Sequence, residues 1–333
     1  MPRSPVPALR TILRGLLQGL VWLALAIGVA WTFGALWFDS IWRGFAVLFL
    51  LAAVAALFRF RPLWKPQAGV AGTIVLVIGW WLTVPPKQDR DWKPEVARLA
   101  SARIDADEVV IQNVRNFDYR TETDFTPRYE TRTYHLSQLR GIDLFVNYWG
   151  SKWMAHPIVS FDFGGEGRVC FSIETRPEKG EGFSALGGLY RQFELICVVA
   201  DERDVIRVRT NYRHGEDVYL YHFNATPEQA RKSFGEYLAT LNHLATHPRW
   251  YNAVTDNCTS AIRHQRVASE RSPWDWRMLV NGFGDEMLYE RGALDRSIPF
   301  PELKSRGHIN DRAKAADQSP DFSKLIREGV PGC

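Results

Sequence analysis

Cysteine is scarce and unpaired in this sequence. Among 333 residues there are four, Cys170, Cys197, Cys258 and Cys333, and none forms a C-x-x-C pair. No histidine or cysteine falls at a metal-ligand spacing, which argues against a structural zinc site, and no cofactor is expected. Acidic residues are nearly missing from the first quarter. Residues 1–85 carry one acid, Asp39, against seven bases, Arg3, Arg10, Arg14, Arg43, Arg59, Arg61 and Lys65. The remainder holds 34 bases and 36 acids, so the formal charge of +4 belongs to the first quarter. The basic excess is therefore not a nucleic-acid surface. Helix-turn-helix, zinc-finger and basic-stripe patterns are also absent, so no nucleic-acid partner is expected. There is no internal repeat and no low-complexity block.

Long apolar runs are present instead, three of them before residue 85. The first covers roughly 16–38, the second 45–58 within a candidate span of 43–60, and the third 68–84. A bilayer core needs about 20 apolar residues, which the first run meets. Flanking aromatics and snorkelling arginines extend the two shorter runs. The first run exceeds the apolar core of a signal peptide and is followed by two more, so an anchor is expected rather than a cleaved leader. Arg3, Arg10 and Arg14 precede the first run, and Arg59, Arg61 and Lys65 follow the second. The positive-inside bias puts both groups in the cytoplasm, and three spans then place everything after Pro85 outside. Trp80, Trp81 and Trp92 suit the interfacial belt.

Residues 86–104 read as a linker, with prolines and a short helix. From 105 onward the pattern is strands: "DEVVIQNVRNFDYRT", "GIDLFVNYWG", "HPIVSFDF", "GRVCFSIET", "FELICVVA", "DVIRVRTNY" and "DVYLYHF". Each is short, rich in β-branched or aromatic residues and bounded by Gly, Asp or Pro. "FDFGGEGRVCF" reads as a hairpin around a Gly-rich turn. A helix follows, with Thr226 and Gln229 as a capping box and Pro227 at its first position. Phe234, Leu238, Leu241 and Leu244 make its apolar stripe. A second helix is expected from about Asp256 through Ile262. Residues 300–333 read as a polar tail with one short amphipathic piece. The predicted fold class is α+β, an antiparallel sheet with segregated helices over 105–333, after N-terminal transmembrane helices.

The chemistry centres on "TDNCTS". Capping by Asp256 or Asn257 would put Cys258 in the first turn of a helix, whose N-terminus favours thiolate. The base would come from elsewhere in the chain. His156 heads a strand-like run inside the sheet region, where an imidazole can be held rigidly. His222 lies on another strand and is the weaker competitor. His264, six residues after Cys258, falls on a different helix face. Ser172 and Glu174, on the partner strand of the hairpin, are candidates to orient His156. The plainer readings stand beside these: Cys258 as a small buried residue, and Glu174 as a structural ion pair with Arg176 or Arg191. Cys170 and Cys197 read as buried small residues, or as a disulfide if adjacent strands align them. Cys333 is expected to be mobile.

Several stretches, among them "HPIVSFDFGG", "SIETRPEKGEGFSALGGLYRQFELICVVADERDVIRVRTNYR", "YNAVTDNCTS" and "GHINDRAKAADQSPDFSKLIREGVP", resemble the Lnb N-terminal periplasmic domain family over roughly residues 105–330. The resemblance implies a papain-like thiol site in circularly permuted order, histidine before cysteine. It matches His156 and Cys258 to the family's His and Cys, and leaves Ser172 or Glu174 as third member. It implies acyl transfer, with membrane phospholipid as donor and a lipoprotein amine as acceptor. The chain departs from gut-bacterial relatives in having its apolar runs before the domain rather than after it. The expectation is a bacterial inner-membrane protein with a periplasmic thiol acyltransferase domain, in which Tyr148 or Trp149 lines the acyl channel. The alternatives are a cysteine amidase or peptidase acting on cell-wall peptides, and a non-catalytic lipid- or partner-binding module.

Overall fold

The computed structural model describes residues 6–252 and 273–333, apart from Phe183, Ala185 and Leu279. The chain divides into two compact units: one runs to Pro86 and includes Ser184–Gln192, and the other holds Lys87–Phe183 and Phe193–Cys333.

The first unit has three helices, α1 Val6–Asp39, α2 Gly44–Arg59 and α3 Trp64–Thr83. α1 and α3 are long and apolar enough to cross a membrane, whereas α2 has 16 residues. Leu25, Ala53, Leu57, Val70 and Ile74 form a small core between them. Leu16, Leu51 and Leu76 are exposed. The segment Ser184–Gln192 packs within this unit: Gln192 donates to the Phe38 carbonyl (2.7 Å) and to Asp39 Oδ1 (3.0 Å), and the Tyr190 ring stacks on Phe38.

The second unit is α+β, as its sequence pattern predicts. Its strands are β1 Ser101–Asp105, β2 Glu108–Arg115, β3 Asp118–Tyr119, β4 Phe125–Thr126, β5 Tyr129–His135, β6 Gly141–Trp149, β7 Ala155–Asp162, β8 Arg168–Arg176, β9 Glu194–Ala200 and β10 Glu216–His222. Eight of these form one mostly antiparallel sheet in the order β1-β2-β9-β8-β7-β6-β10, with β5 paired to β2. Because side chains alternate along a strand, two separate cores cover its faces. On one face α5, Pro227–Thr246, lays Phe234, Leu238, Leu241 and Leu244 over Val159, Phe161 and Phe171. The Thr226/Gln229 capping box and Pro227 set its start. On the other face Phe145, Ile158, Cys170 and Val198 meet Val205, Ile206, Ile309, Phe322 and Ile326.

Three sequence expectations change. "DVIRVRTNY" is helical: α4 covers Glu202–Val205 and a π-helical turn covers Val208–Tyr212. Asp201 caps α4, accepting from the Arg203 amide at 2.8 Å. Every residue from Asp204 to Thr210 is buried, Val205 and Ile206 in one core and Val208 in another, which is not strand alternation. The polar tail is a core-forming layer, whose Ile309, Ala313, Phe322 and Ile326 are buried. The expected linker belongs to the second unit from Lys87 onward. Its Trp92, expected at a membrane interface, is buried, with the Arg176 guanidinium over its ring at 4.3 Å. Of the two readings of Cys170 and Cys197, the structure agrees with buried small residues: Cys170 lies opposite Ala200 and Cys197 opposite Ile173, in different cores, and both are free thiols.

Candidate active site

His156 and Glu174 come together through the β7–β8 register. Ile158 pairs with Ser172. Two residues further along each strand, on the same face, are His156 and Glu174. The hydroxyl of Ser172 lies between them: His156 Nε2 is 2.7 Å from Ser172 Oγ, and Ser172 donates to Glu174 Oε1 at 2.7 Å. Direct separation of His156 Nε2 and Glu174 Oε1 is 3.8 Å.

Glu174 is not paired with Arg176 or Arg191. Arg209, from the π-helical turn, donates to its Oε1 at 2.8 Å. Arg176 instead donates to the carbonyls of Val96 and Ala97 and to Gln88. Burial raises the Glu174 pKa, but Arg209 and His156 outweigh it and hold the carboxyl well below its usual range. Burial, aided by Arg209 and opposed by Glu174, lowers the His156 pKa to about 4. The imidazole is therefore neutral at neutral pH.

This arrangement fixes the tautomer. An ionised carboxylate only accepts, so the single Ser172 hydrogen goes to Glu174. Ser172 must then accept from His156 Nε2–H, and Nδ1 carries the lone pair.

Two further residues adjoin the ring. Asn147 faces His156 in the β6–β7 register. It is buried and donates to Glu216 at 2.6 Å, while its Oδ1 has no partner among the described residues. The Trp149 ring stands edge-on to His156 at 6.5 Å. Tyr148, one position away, points to the opposite face and bonds Asp285 and Lys304. Of the two, only Trp149 is on the face of His156. Arg209 escapes the sequence pattern because its run has the composition of a strand, and Asn147 because only the register sets it beside His156.

Cys258 lies outside the described residues, as does the helix expected from Asp256 to Ile262. The positions that flank the stretch 253–272 are described. Before it, Trp250 bridges to Glu194 at the start of β9, and the Tyr251 amide donates to Phe193 O at 2.8 Å. After it, Asn281 Oδ1 accepts from the Ala155 amide at 2.9 Å, and Gly282 N donates to Trp153 O at 3.1 Å. Both flanks are pinned at the end of the sheet that carries His156 and Glu174.

A family model aligns with residues 125–282, the Lnb N-terminal periplasmic domain. Residues 125–282 are an Lnb N-terminal periplasmic domain. This Lnb domain takes in His156, Ser172, Glu174, Arg209 and Cys258, and ends before the C-terminal layer of helices. No curated protein and no solved structure matches the chain.

On the face of β6 and β7 opposite His156, the second unit has a cavity of about 660 Å³. Leu144, Val146, Val159, Met278, Met287 and Leu288 supply its apolar walls. Lys232, Glu236, Asp285 and Arg291 add charge to the lining. The cavity reaches Ala155, the neighbour of His156.

Proposed function

We propose that this chain is a cysteine acyltransferase anchored in the bacterial inner membrane, with its Lnb domain in the periplasm. Cys258 is the nucleophile and His156 the general base. A membrane phospholipid supplies the acyl group and an amine, such as a lipoprotein N-terminus, accepts it. The observation that carries the reading is the Glu174–Ser172–His156 relay, which leaves a lone pair at Nδ1 of a half-buried, neutral imidazole. A neutral ring with a free lone pair is able to accept a proton. The described flanks of 253–272 are anchored at the end of the sheet that carries His156.

In the proposed reaction, Nδ1 takes the thiol proton and the thiolate attacks the ester carbonyl. The C–S bond forms, the C–O bond breaks, and the alcohol leaves with the proton from His156. The amine then attacks the thioester. Its C–N bond forms as the C–S bond breaks, and the amine proton returns through His156 to the thiol. A covalent intermediate divides one difficult transfer into two easier ones.

The mostly apolar cavity supports an acyl group as the moiety transferred, since each buried methylene is worth about 0.8 kcal/mol. Exposed apolar side chains on α1–α3, such as Leu16, Leu51 and Leu76, support contact with lipid.

Intact mass measurement of the full chain purified with phospholipid, beside Cys258→Ser, tests the reading. A hydroxylamine-labile adduct of fatty-acyl mass on the wild type alone is the expected outcome. A reactive Cys258 that never acquires the adduct would point to amide hydrolysis of cell-wall peptides. An unreactive Cys258 without adduct would point to a binding module.

A further inference from the structure

A second polar cluster lies on the same sheet face as His156, at the other end of the strands. His222 on β10 pairs with Asp143 on β6, which in turn pairs with Ser160 on β7. The His156 position is four residues away along the strand, about 13 Å at strand rise. His222 Nδ1 is 2.7 Å from Asp143 Oδ1. Cys333 Sγ lies 3.9 Å from the same oxygen. One ligand atom from each of the three residues falls within 4.8 Å of the other two.

The other side of the Asp143 carboxylate is fully engaged. Its Oδ2 accepts from Arg327 Nε at 2.9 Å and Nη2 at 2.7 Å. Arg327 also donates to both oxygens of Glu202, which accepts from Ser160. The carboxylate is thus held so that one oxygen faces His222 and Cys333. Outer hydrogen bonds of this kind orient first-row metal ligands.

Charge points the same way. Arg327 brings one positive charge to two buried carboxylates, Asp143 and Glu202. One negative charge is left beside a thiol and an imidazole. Cys333 is also brought into place rather than trailing. Val330 is buried in the core, Cys333 N donates to Val330 O, and the Gly332 backbone packs so close to His222 that a Cβ there would meet the ring's own Cβ at 3.1 Å. A cavity of about 370 Å³, bordered by His222, Asn224, Asp295 and Gly332, gives access from solvent.

We propose that Asp143, His222 and Cys333 form a site for a zinc-class divalent cation, with a water in the fourth position. One thiolate, one imidazole and one carboxylate are a borderline donor set that suits zinc and, as a probe, cobalt. Binding exchanges the His222–Asp143 hydrogen bond for two metal bonds, and the Cys333 proton is released. The cation ties β6, β10 and the end of the C-terminal layer together, apart from the His156 centre. The three ligands are 79 and 111 residues apart along the chain, which is why no ligand spacing shows in the sequence.

The experiment is titration of the full chain, stripped of metal and held reduced in detergent, with Co²⁺. The wild type is expected to develop a thiolate-to-cobalt charge-transfer band and visible d–d bands at one equivalent, both removed by Zn²⁺. Cys333→Ser and His222→Gln should each weaken binding at least tenfold, the size usual for disturbing a metal's surroundings. Cys258→Ser should leave the spectrum unchanged, which separates this site from the proposed nucleophile. Melting temperatures of the metal-free variants equal to that of the metal-free wild type establish that they fold. Absence of the bands, bands indifferent to Cys333→Ser, or bands lost in Cys258→Ser would overturn the proposal.

Discussion

His156 is a histidine whose surroundings favour the neutral ring. Burial and the Arg209 charge act together, and the pKa falls from 6.5 to about 4. The sign of the consequence follows from linkage. Between pH 6.5 and 4 the unfolded chain binds a proton that the folded chain refuses, so stability declines as pH falls through this window. At roughly 1.4 kcal/mol per unit the decline is on the order of 3 kcal/mol. His156→Gln should flatten that part of the profile, read by urea unfolding at pH 7, 6, 5 and 4. A slope equal to wild type would mean that another group titrates there. Glu174 has the opposite charge type and a depressed pKa, so its contribution is present above about pH 4.5 and is lost as pH falls further. Glu174→Gln leaves the buried Arg209 guanidinium without its carboxylate. Breaking such a pair costs roughly 3 kcal/mol. It should also slow acyl-enzyme formation, because a neutral amide no longer fixes the Ser172 hydroxyl. A stability within 0.5 kcal/mol or so of wild type would remove Glu174 from this role. His156, Ser172 and Glu174 were legible in the sequence because a short hairpin with a Gly-rich turn sets the register between them. Arg209 was not, because the partner of a half-buried carboxylate is chosen by tertiary packing and not by local spacing.

Elements differ in how far local chemistry determines them. α5 carries its own start signal, and the structure keeps it: Thr226 Oγ1 accepts from the Gln229 amide and Gln229 Oε1 from the Thr226 amide. Thr226→Ala should cost about 1 kcal/mol and Thr226→Gly only a few tenths, since glycine tolerates the cap geometry. Thermal unfolding of the two variants checks the order. The run from Asp204 to Tyr212 is the contrary case. Its valines and isoleucine suit a strand by composition, yet the Arg115–Asp204 pair requires a different path. Arg115 donates through Nε and Nη2 to Asp204, and the Phe117 amide adds a third donor at 2.7 Å. Both side chains are buried, so the position of Asp204 is dictated by a residue 89 places earlier in the chain. The C-terminal layer was hidden for a similar reason. Ile309, Phe322 and Ile326 are spread over short helices separated by turns, so no single window shows a continuous apolar stripe.

At the scale of the whole molecule, the proposed membrane anchor turns on its number of crossings, because parity decides which side receives the Lnb domain. α1 and α3 are long enough to cross. α2, with 16 residues, measures about 24 Å against a hydrocarbon core of about 30 Å. Two features extend it. Arg59 and Arg61 can reach a few ångströms along their stems to the headgroups, and a bilayer thins around a short span at modest cost. The alternative, an α2 lying in the interface, would present apolar side chains on both its sides to water or headgroups. Phe45, Leu48, Leu50 and Leu51 are all exposed on it, spread over more than half of its circumference. It would also leave Arg59, Arg61 and Lys65 on the side opposite to Arg10 and Arg14, against the positive-inside bias. Three crossings satisfy both constraints. Alkaline phosphatase, active only outside the cytoplasm, should therefore be inactive when fused after Lys65 and active when fused after Cys333. The reverse pattern would mean two crossings or an inverted anchor, and would put the Lnb domain out of reach of periplasmic acceptors.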